Sequence, residues 1–245
     1  MKLTIVGCSG SVPGPDGPAS AYLLEHDGTR LLLDLGSGAL GPLHRYLDPA
    51  DVDAVLLSHL HADHCLDMCA YVVARRYGPA APLPPVPVVA PAGAAARIAA
   101  AYPEPDLSDV FAYTDLVAGQ WDIGPFEIRT ARVNHPIETY AIRVQAGGRS
   151  LTYSADTGVS KALVSLATGT DLLLCEATFP SGADTPPDLH LSGREAAEHA
   201  ERAGVDRLVL THIPPWGDRI ATLGDACSVF RGRTELAAPG ATYEL

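Results

Sequence analysis

Apolar and polar positions alternate along the 245-residue chain in short segments, and the period changes from two to helical spacing and back. Leu3 to Val6 reads as a first strand running into a glycine-rich turn, Gly7 to Gly14. That turn is either a tight connection or a set of backbone N–H groups offered to an anion. Ala21 to Leu24 and Arg30 to Leu35 read as a hairpin with His26-Asp27-Gly28-Thr29 at its turn. Asp34, leaving that hairpin, has the position of a turn or cap residue, with a supporting role beside a site left open. Leu40 to Leu47 fits a short helix, and Asp53 to Leu57 fits a buried strand. The apolar positions Leu66, Cys69, Ala70 and Val73 predict a helix over Cys65 to Tyr77.

The second half follows the same logic. Gly78 to Pro91 holds six prolines in fourteen residues and no charge, which predicts a surface crossover. Ala92 to Tyr102 has helical spacing. Phe126 to Arg132, Thr139 to Gln145 and Arg149 to Ser154 alternate as strands of a second sheet or second half. Ser192-Gly193-Arg194-Glu195 is a capping box, with Leu191 and Ala196 placed as a hydrophobic staple, and its helix should end before Gly204.

Composition narrows the class. With 47% hydrophobic and 19% charged residues the chain can bury a sizeable core, and a single domain spanning 1–245 is the expectation. A net charge of -12 argues against a polyanion-binding surface, since nucleic acid is gripped by Lys and Arg. The five cysteines are odd in number and scattered, which points to a reducing cytosol rather than a disulfide framework. No apolar run approaches the roughly 18 residues of a membrane span, and the N-terminal run is too short for a signal peptide.

Candidate chemistry begins directly after the strand Asp53 to Leu57, at Ser58-His59-Leu60-His61-Ala62-Asp63-His64. Residues two apart at a strand exit point the same way, so His59 and His61 can grip one ion. Asp63 and His64 turn toward a second position at the opening of the predicted helix. Imidazole and carboxylate ligands favour zinc over manganese or iron. Three further candidates fall at strand ends: His135 in Val133-Asn134-His135-Pro136, Asp156 in Tyr153-Ser154-Ala155-Asp156-Thr157-Gly158, and His212 in Leu208-Val209-Leu210-Thr211-His212. A carboxylate at Asp156 could bridge two cations. His26, His44 and His199 match no such position and are expected to be solvated.

The order HLHADH, NHP, YSADTG and LTHIPP resembles the metallo-β-lactamase superfamily over nearly the whole chain. The resemblance implies an α/β fold, a four-layer αββα sandwich with a dinuclear metal site at one edge of its two sheets. Carried over, His59, His61 and His135 would hold the first ion, Asp63, His64 and His212 the second, and Asp156 would bridge them. Leu174-Cys175-Glu176-Ala177-Thr178-Phe179 and His190-Leu191-Ser192 resemble the phosphodiesterase branch that includes ribonuclease Z. Asp63 and His190 are then the catalytic candidates: Asp63 to orient or deprotonate the attacking water, His190 to protonate the leaving oxygen. Ser11 and Trp216 are candidates for substrate contact, with Phe179 an alternative base-stacking residue and Glu176 a candidate partner of the metal shell.

Two departures from ribonuclease Z weigh against transfer RNA processing. Gly14-Pro15-Asp16-Gly17-Pro18 replaces its early arginine-asparagine signature, and no basic glycine-rich insertion lies between His64 and His135. The combination GCSGSVPGPDGPAS, SHLHADHCLD, YSADTG, DLHLSG and LTHIPPW is instead similar to actinobacterial-type cyclic nucleotide phosphodiesterases. The leading expectation is hydrolysis of a small phosphodiester such as cyclic AMP with two divalent metal ions. A tRNA 3'-processing endonuclease, another hydrolase of the superfamily, and a non-catalytic metal-bound scaffold are the alternatives. The expected partner is a small molecule, with no nucleic acid and no membrane, and a homodimer is left open.

Overall fold

A computed structural model describes residues 1–104 and 106–245. The first half builds β1 (Lys2–Gly7), β2 (Ala21–His26), β3 (Thr29–Leu33), β4 (Ala54–Leu56), β5 (Val86–Ala90) and β6 (Phe111–Asp115). Its helices are α1 (Leu40–Leu43), α2 (Ala62–Cys65), α3 (Met68–Tyr77) and α4 (Ala94–Ala101). The second half builds β7 (Gly119–Ile123), β8 (Phe126–Arg132), β9 (Tyr140–Ala146), β10 (Arg149–Tyr153), β11 (Leu172–Glu176), β12 (Arg207–Thr211) and β13 (Arg233–Leu236). Helices α5 (Lys161–Ala167), α6 (Gly193–Ala203) and α7 (Arg219–Cys227) accompany them. A last strand, β14 (Thr242–Glu244), crosses back to pair with β1.

Two seven-stranded mixed sheets result, ordered β14-β1-β2-β3-β4-β5-β6 and β13-β12-β11-β10-β9-β8-β7. Each is antiparallel on one side and turns parallel on the other, at β3 to β4 and at β10 to β11. Strand periodicity sorts the side chains into three apolar layers. Leu31 and Leu33 of β3 meet Leu172 and Leu174 of β11 between the sheets. Leu32, one residue out of phase, packs with Leu43, Met68 and Ile98 under α1, α3 and α4. Leu173 and Cys175 pack with Leu163, Ala196 and Ala200 under α5 and α6. Strands buried on both faces read as continuous apolar runs, as these do. The arrangement is the αββα metallo-β-lactamase fold.

Four expectations need correction. The proline-rich segment is not a surface crossover, because it contains β5, an interior strand paired to β4 and β6. The Val86 N–H bonds to Val110 O on the β6 side, so Pro87 turns its missing donor toward β4, whose pairing starts only at Val88. The helix expected over Cys65 to Tyr77 is broken at Leu66-Asp67, where the Asp67 carboxylate accepts from the N–H groups of Gly38 and Leu40. The helix expected over Leu40 to Leu47 lasts a single turn. His199 is buried rather than solvated: it lies on the inner face of α6 with Ala196, Ala200 and Ala203, its Nδ1–H donates to Glu195 O at 2.7 Å, and its Nε2 accepts from Ser160 N at 3.0 Å. The helix α6 itself follows the sequence, with both hydrogen bonds of the capping box formed and Gly204 in the left-handed region at its end. Among the described residues no helix is long and apolar enough to cross a membrane.

Candidate metal centre

The ends of six strands converge on one edge of the sandwich. Asp34 follows β3, the His59 to His64 segment follows β4, His135 follows β8, Asp156 follows β10, Glu176 ends β11 and His212 follows β12. Three of these exits pass through a residue with left-handed backbone: Asp34 at φ 58°, Ala155 at 52° and His212 at 57°. Such a conformation costs roughly 1–2 kcal/mol in a residue with a side chain. Its recurrence where the chain leaves each strand indicates that the surrounding contacts fix these turns. Backbone packing allows no slack here. A methyl group on Gly10 would fall 2.2 Å from the His212 carbonyl oxygen, and one on Gly36 1.9 Å from that of Asp63.

The seven expected ligands form two clusters that share one carboxylate. In the first, His61 Nδ1 lies 3.2 Å from both His59 Nε2 and His135 Nε2, and Asp156 Oδ2 lies 3.6 Å from His59 Nε2. In the second, His212 Nε2 lies 3.0 Å from Asp63 Oδ2 and 3.2 Å from His64 Nε2. Asp156 Oδ1 completes it, 3.3 Å from His64 Nε2 and 3.4 Å from His212 Nε2. Ligands about 2.0–2.1 Å from a tetrahedral zinc are separated by about 3.3 Å, so these spacings are the edges of a coordination shell. Asp156 Oδ1 is buried without a hydrogen-bond partner among the described residues, a costly state unless a cation faces it. Both groups meet the geometric requirement for holding a metal ion.

The electrostatics agree with that fit. Burial is the main reason that the imidazoles of His59, His61 and His135 sit below the ordinary histidine value, which keeps them neutral and free to ligate. Burial also opposes charge on His64, but Asp156 and Asp34 outweigh it and hold its pKa well above normal, so an ion bound there must displace the Nε2 proton. Desolvation raises Asp63 and Asp156, yet the facing histidines dominate and keep both well below the usual carboxylate range. The pocket therefore carries buried negative charge that calls for cations. No Lys or Arg forms an ion pair with any of the seven side chains among the described residues.

Supporting contacts come from residues that the sequence under-reads. Asp34 is fully buried and is neither a simple turn nor a cap residue. Its Oδ2 accepts from His64 Nδ1 at 2.8 Å, Ser58 Oγ at 2.8 Å and Tyr153 OH at 2.9 Å, while Oδ1 accepts from Ser58 N at 2.7 Å. That fixes which nitrogen His64 turns toward the cluster. Leu189 O plays the same part for His135 Nδ1 at 2.8 Å. Asp34 could have been suspected from its place at a strand exit; Tyr153 and Leu189 carry no signal in the sequence.

His190 stands above both clusters, its ring centroid 5.5 Å from those of His135 and His212. Its Nδ1 donates to Glu176 Oε1 at 3.0 Å, and Glu176 is fully buried. Burial lowers the pKa of His190, but the Glu176 charge outweighs it and raises it above the ordinary value. Phe179 packs edge-on against His190 at 5.2 Å. The Ser11 backbone N–H reaches 3.4 Å from His212 Nε2 with its side chain in solvent, and Trp216 is 73% exposed beyond Pro214-Pro215. The structure thus brings His190 and the Ser11 backbone to the clusters, while Trp216 is exposed to solvent and makes no hydrogen bond or ring contact to them among the described residues.

Comparison with known proteins places this site in context. Residues 29–213 match the Beta-lactamase superfamily domain. The Mycobacterium leprae protein ML1173 is 44% identical, over 100% of this chain and 89% of its own length. The probable metallo-hydrolase YhfI of Bacillus subtilis is 30% identical over the full length of both chains. Its crystal structure superposes with a TM-score of 0.91, at 28% identity, covering 100% of this chain and 99% of that one. A ribonuclease Z of Mycolicibacterium paratuberculosis is 30% identical over 96% of this chain and 95% of its own.

Proposed function

This chain belongs to the beta-lactamase superfamily, and we propose that within it the protein is a dinuclear metal-dependent phosphodiesterase acting on a small phosphodiester, foremost a 3',5'-cyclic nucleotide such as cyclic AMP. The observation that carries the reading is the position of His190, held by Glu176 with its ring 5.5 Å from His135 of the first cluster and 5.5 Å from His212 of the second. Divalent cations, zinc by the chemistry of the donor set, supply Lewis acidity when bound: they lower the pKa of water to about 7 and offset charge on phosphate oxygens.

The chain's own residues do the rest. Asp63, an ionised carboxylate at the edge of the second cluster, orients the attacking water, whose proton passes to solvent at its lowered pKa. His190, its pKa raised by Glu176, gives a proton to the departing ribose oxygen, which in a cyclic nucleotide stays tethered to the product. Phe179 beside His190 offers a face for the base.

A small substrate is favoured over transfer RNA for a structural reason. The stretch between His64 and His135 builds α3, β5, α4, β6, β7 and β8, and among the described residues no further helix or strand is inserted there. The five free cysteines support a reducing, cytoplasmic setting. The test is to incubate metal-analysed protein with cyclic AMP, cyclic GMP, a 2',3'-cyclic nucleotide, an aryl phosphodiester and a precursor tRNA. Turnover of a 3',5'-cyclic nucleotide to its 5'-monophosphate is expected. Cleavage of the tRNA alone would overturn the substrate assignment.

A further inference from the structure

Thr178 takes no part in the chemistry above, yet its hydroxyl sits between the two halves of the site. Thr178 Oγ1 is 2.9 Å from His212 Nδ1, 2.7 Å from Glu176 Oε2 and 3.0 Å from the His212 carbonyl oxygen. The proton count settles the direction of these bonds. His212 turns Nε2 toward Asp63, His64 and Asp156, and a cation held by that cluster would take the Nε2 lone pair, which places the ring proton on Nδ1. Nδ1–H then donates to Thr178 Oγ1. The single hydroxyl proton can serve one acceptor, and the carboxylate is both closer and charged, so it goes to Glu176 Oε2. The other oxygen, Oε1, accepts from Thr157 N at 2.6 Å and from His190 Nδ1 at 3.0 Å.

We propose that Thr178 is a positioning residue that joins the metal ligand His212 to the Glu176–His190 pair through one chain of hydrogen bonds. Its hydroxyl fixes the tautomer with which His212 faces the second cluster and, at the same time, the carboxylate orientation that aims His190. Valine at this position would keep the branched shape while leaving His212 Nδ1–H without an acceptor and Glu176 Oε2 without a donor. The kinetic part of this inference rests on the phosphodiesterase reading; the metal-binding part does not.

The experiment compares Thr178→Val and Thr178→Ser with the parent protein. Metal affinity is measured by chelator competition, and kcat and KM on whichever phosphodiester the parent turns over. Partners of metal ligands are worth about 10–100-fold in metal affinity or activity. Thr178→Val is therefore expected to weaken one class of metal site by that factor and to lower kcat with KM within about threefold, while Thr178→Ser restores both. Retention of parental metal affinity in Thr178→Val, or equal damage in Thr178→Ser, would overturn the role of the hydroxyl. A double-mutant cycle with His190→Ala tests the link itself: the kcat losses should be clearly less than multiplicative. Fully multiplicative losses would show that Thr178 acts on His212 alone and would refute the joined chain. Should no phosphodiester be turned over, the chelator measurement still decides the metal-binding part.

Discussion

Replacing Asp156 by asparagine probes the sharing of one carboxylate between two clusters. Asp156 is 2% exposed, with Oδ2 toward the first cluster and Oδ1 toward the second. Asparagine keeps the shape and removes the charge, so each cluster loses its charged share of the same residue. Even partners one shell further out are worth up to about 100-fold in affinity. A direct ligand should cost at least that at each position, about 2.7 kcal/mol by the ordinary conversion of affinity to free energy. The assay is metal content by mass spectrometry after dialysis against a graded chelator series, with far-ultraviolet circular dichroism as the check on folding. Both cations are expected to leave over the same chelator range, and hydrolase activity with them. A folded Asp156→Asn protein that lost one cation and kept the other at parental affinity would refute the shared-ligand geometry.

Other consequences follow from the same contacts. His190→Ala should keep full metal content and lower kcat by roughly 10²–10⁴-fold, the range of a lost proton donor, measured on the same substrate panel; loss of metal would contradict the assignment. Ser192→Ala removes the cap on α6 and should cost about 1 kcal/mol, a melting-temperature drop of roughly 2–4 °C by calorimetry, without change in metal content. Burial pushes the Cys8 thiol up to about 11 and that of Cys65 to about 12, so at pH 8 both stay protonated and unreactive. Cys227, which is exposed, should be the fast-reacting thiol in an Ellman titration of native protein, with all five reacting after unfolding. Rapid native reaction at Cys8 or Cys65 would show that their surroundings are wrong.

Much of the site could be read from spacing because its residues sit where strand periodicity ends. His59 and His61 are two apart after a buried strand, and His135, Asp156 and His212 each follow a strand by one to three residues. The same logic fails for Asp34, whose role depends on His64 thirty positions away and on Tyr153 in the opposite sheet. Local pattern also misjudges β5, since six prolines mask three buried positions on its helix-covered face, Val86, Val88 and Ala90. His199 looked solvated because a polar ring on an alanine-rich helix carries no hint of the Ser160 N–H that satisfies it. β14 is three residues long and gains its place only by pairing with β1 at the far end of the chain. What sequence conveyed was the direction of side chains at element ends; what it withheld was which distant groups complete their hydrogen bonds.

Diffraction from crystals of metal-loaded protein, recorded above and below the absorption edge of the bound metal, tests the central geometry most directly. Two anomalous peaks are expected: one among His59 Nε2, His61 Nδ1 and His135 Nε2, the other among Asp63, His64 Nε2 and His212 Nε2, with Asp156 between them. A single peak, or peaks away from these atoms, would contradict that geometry.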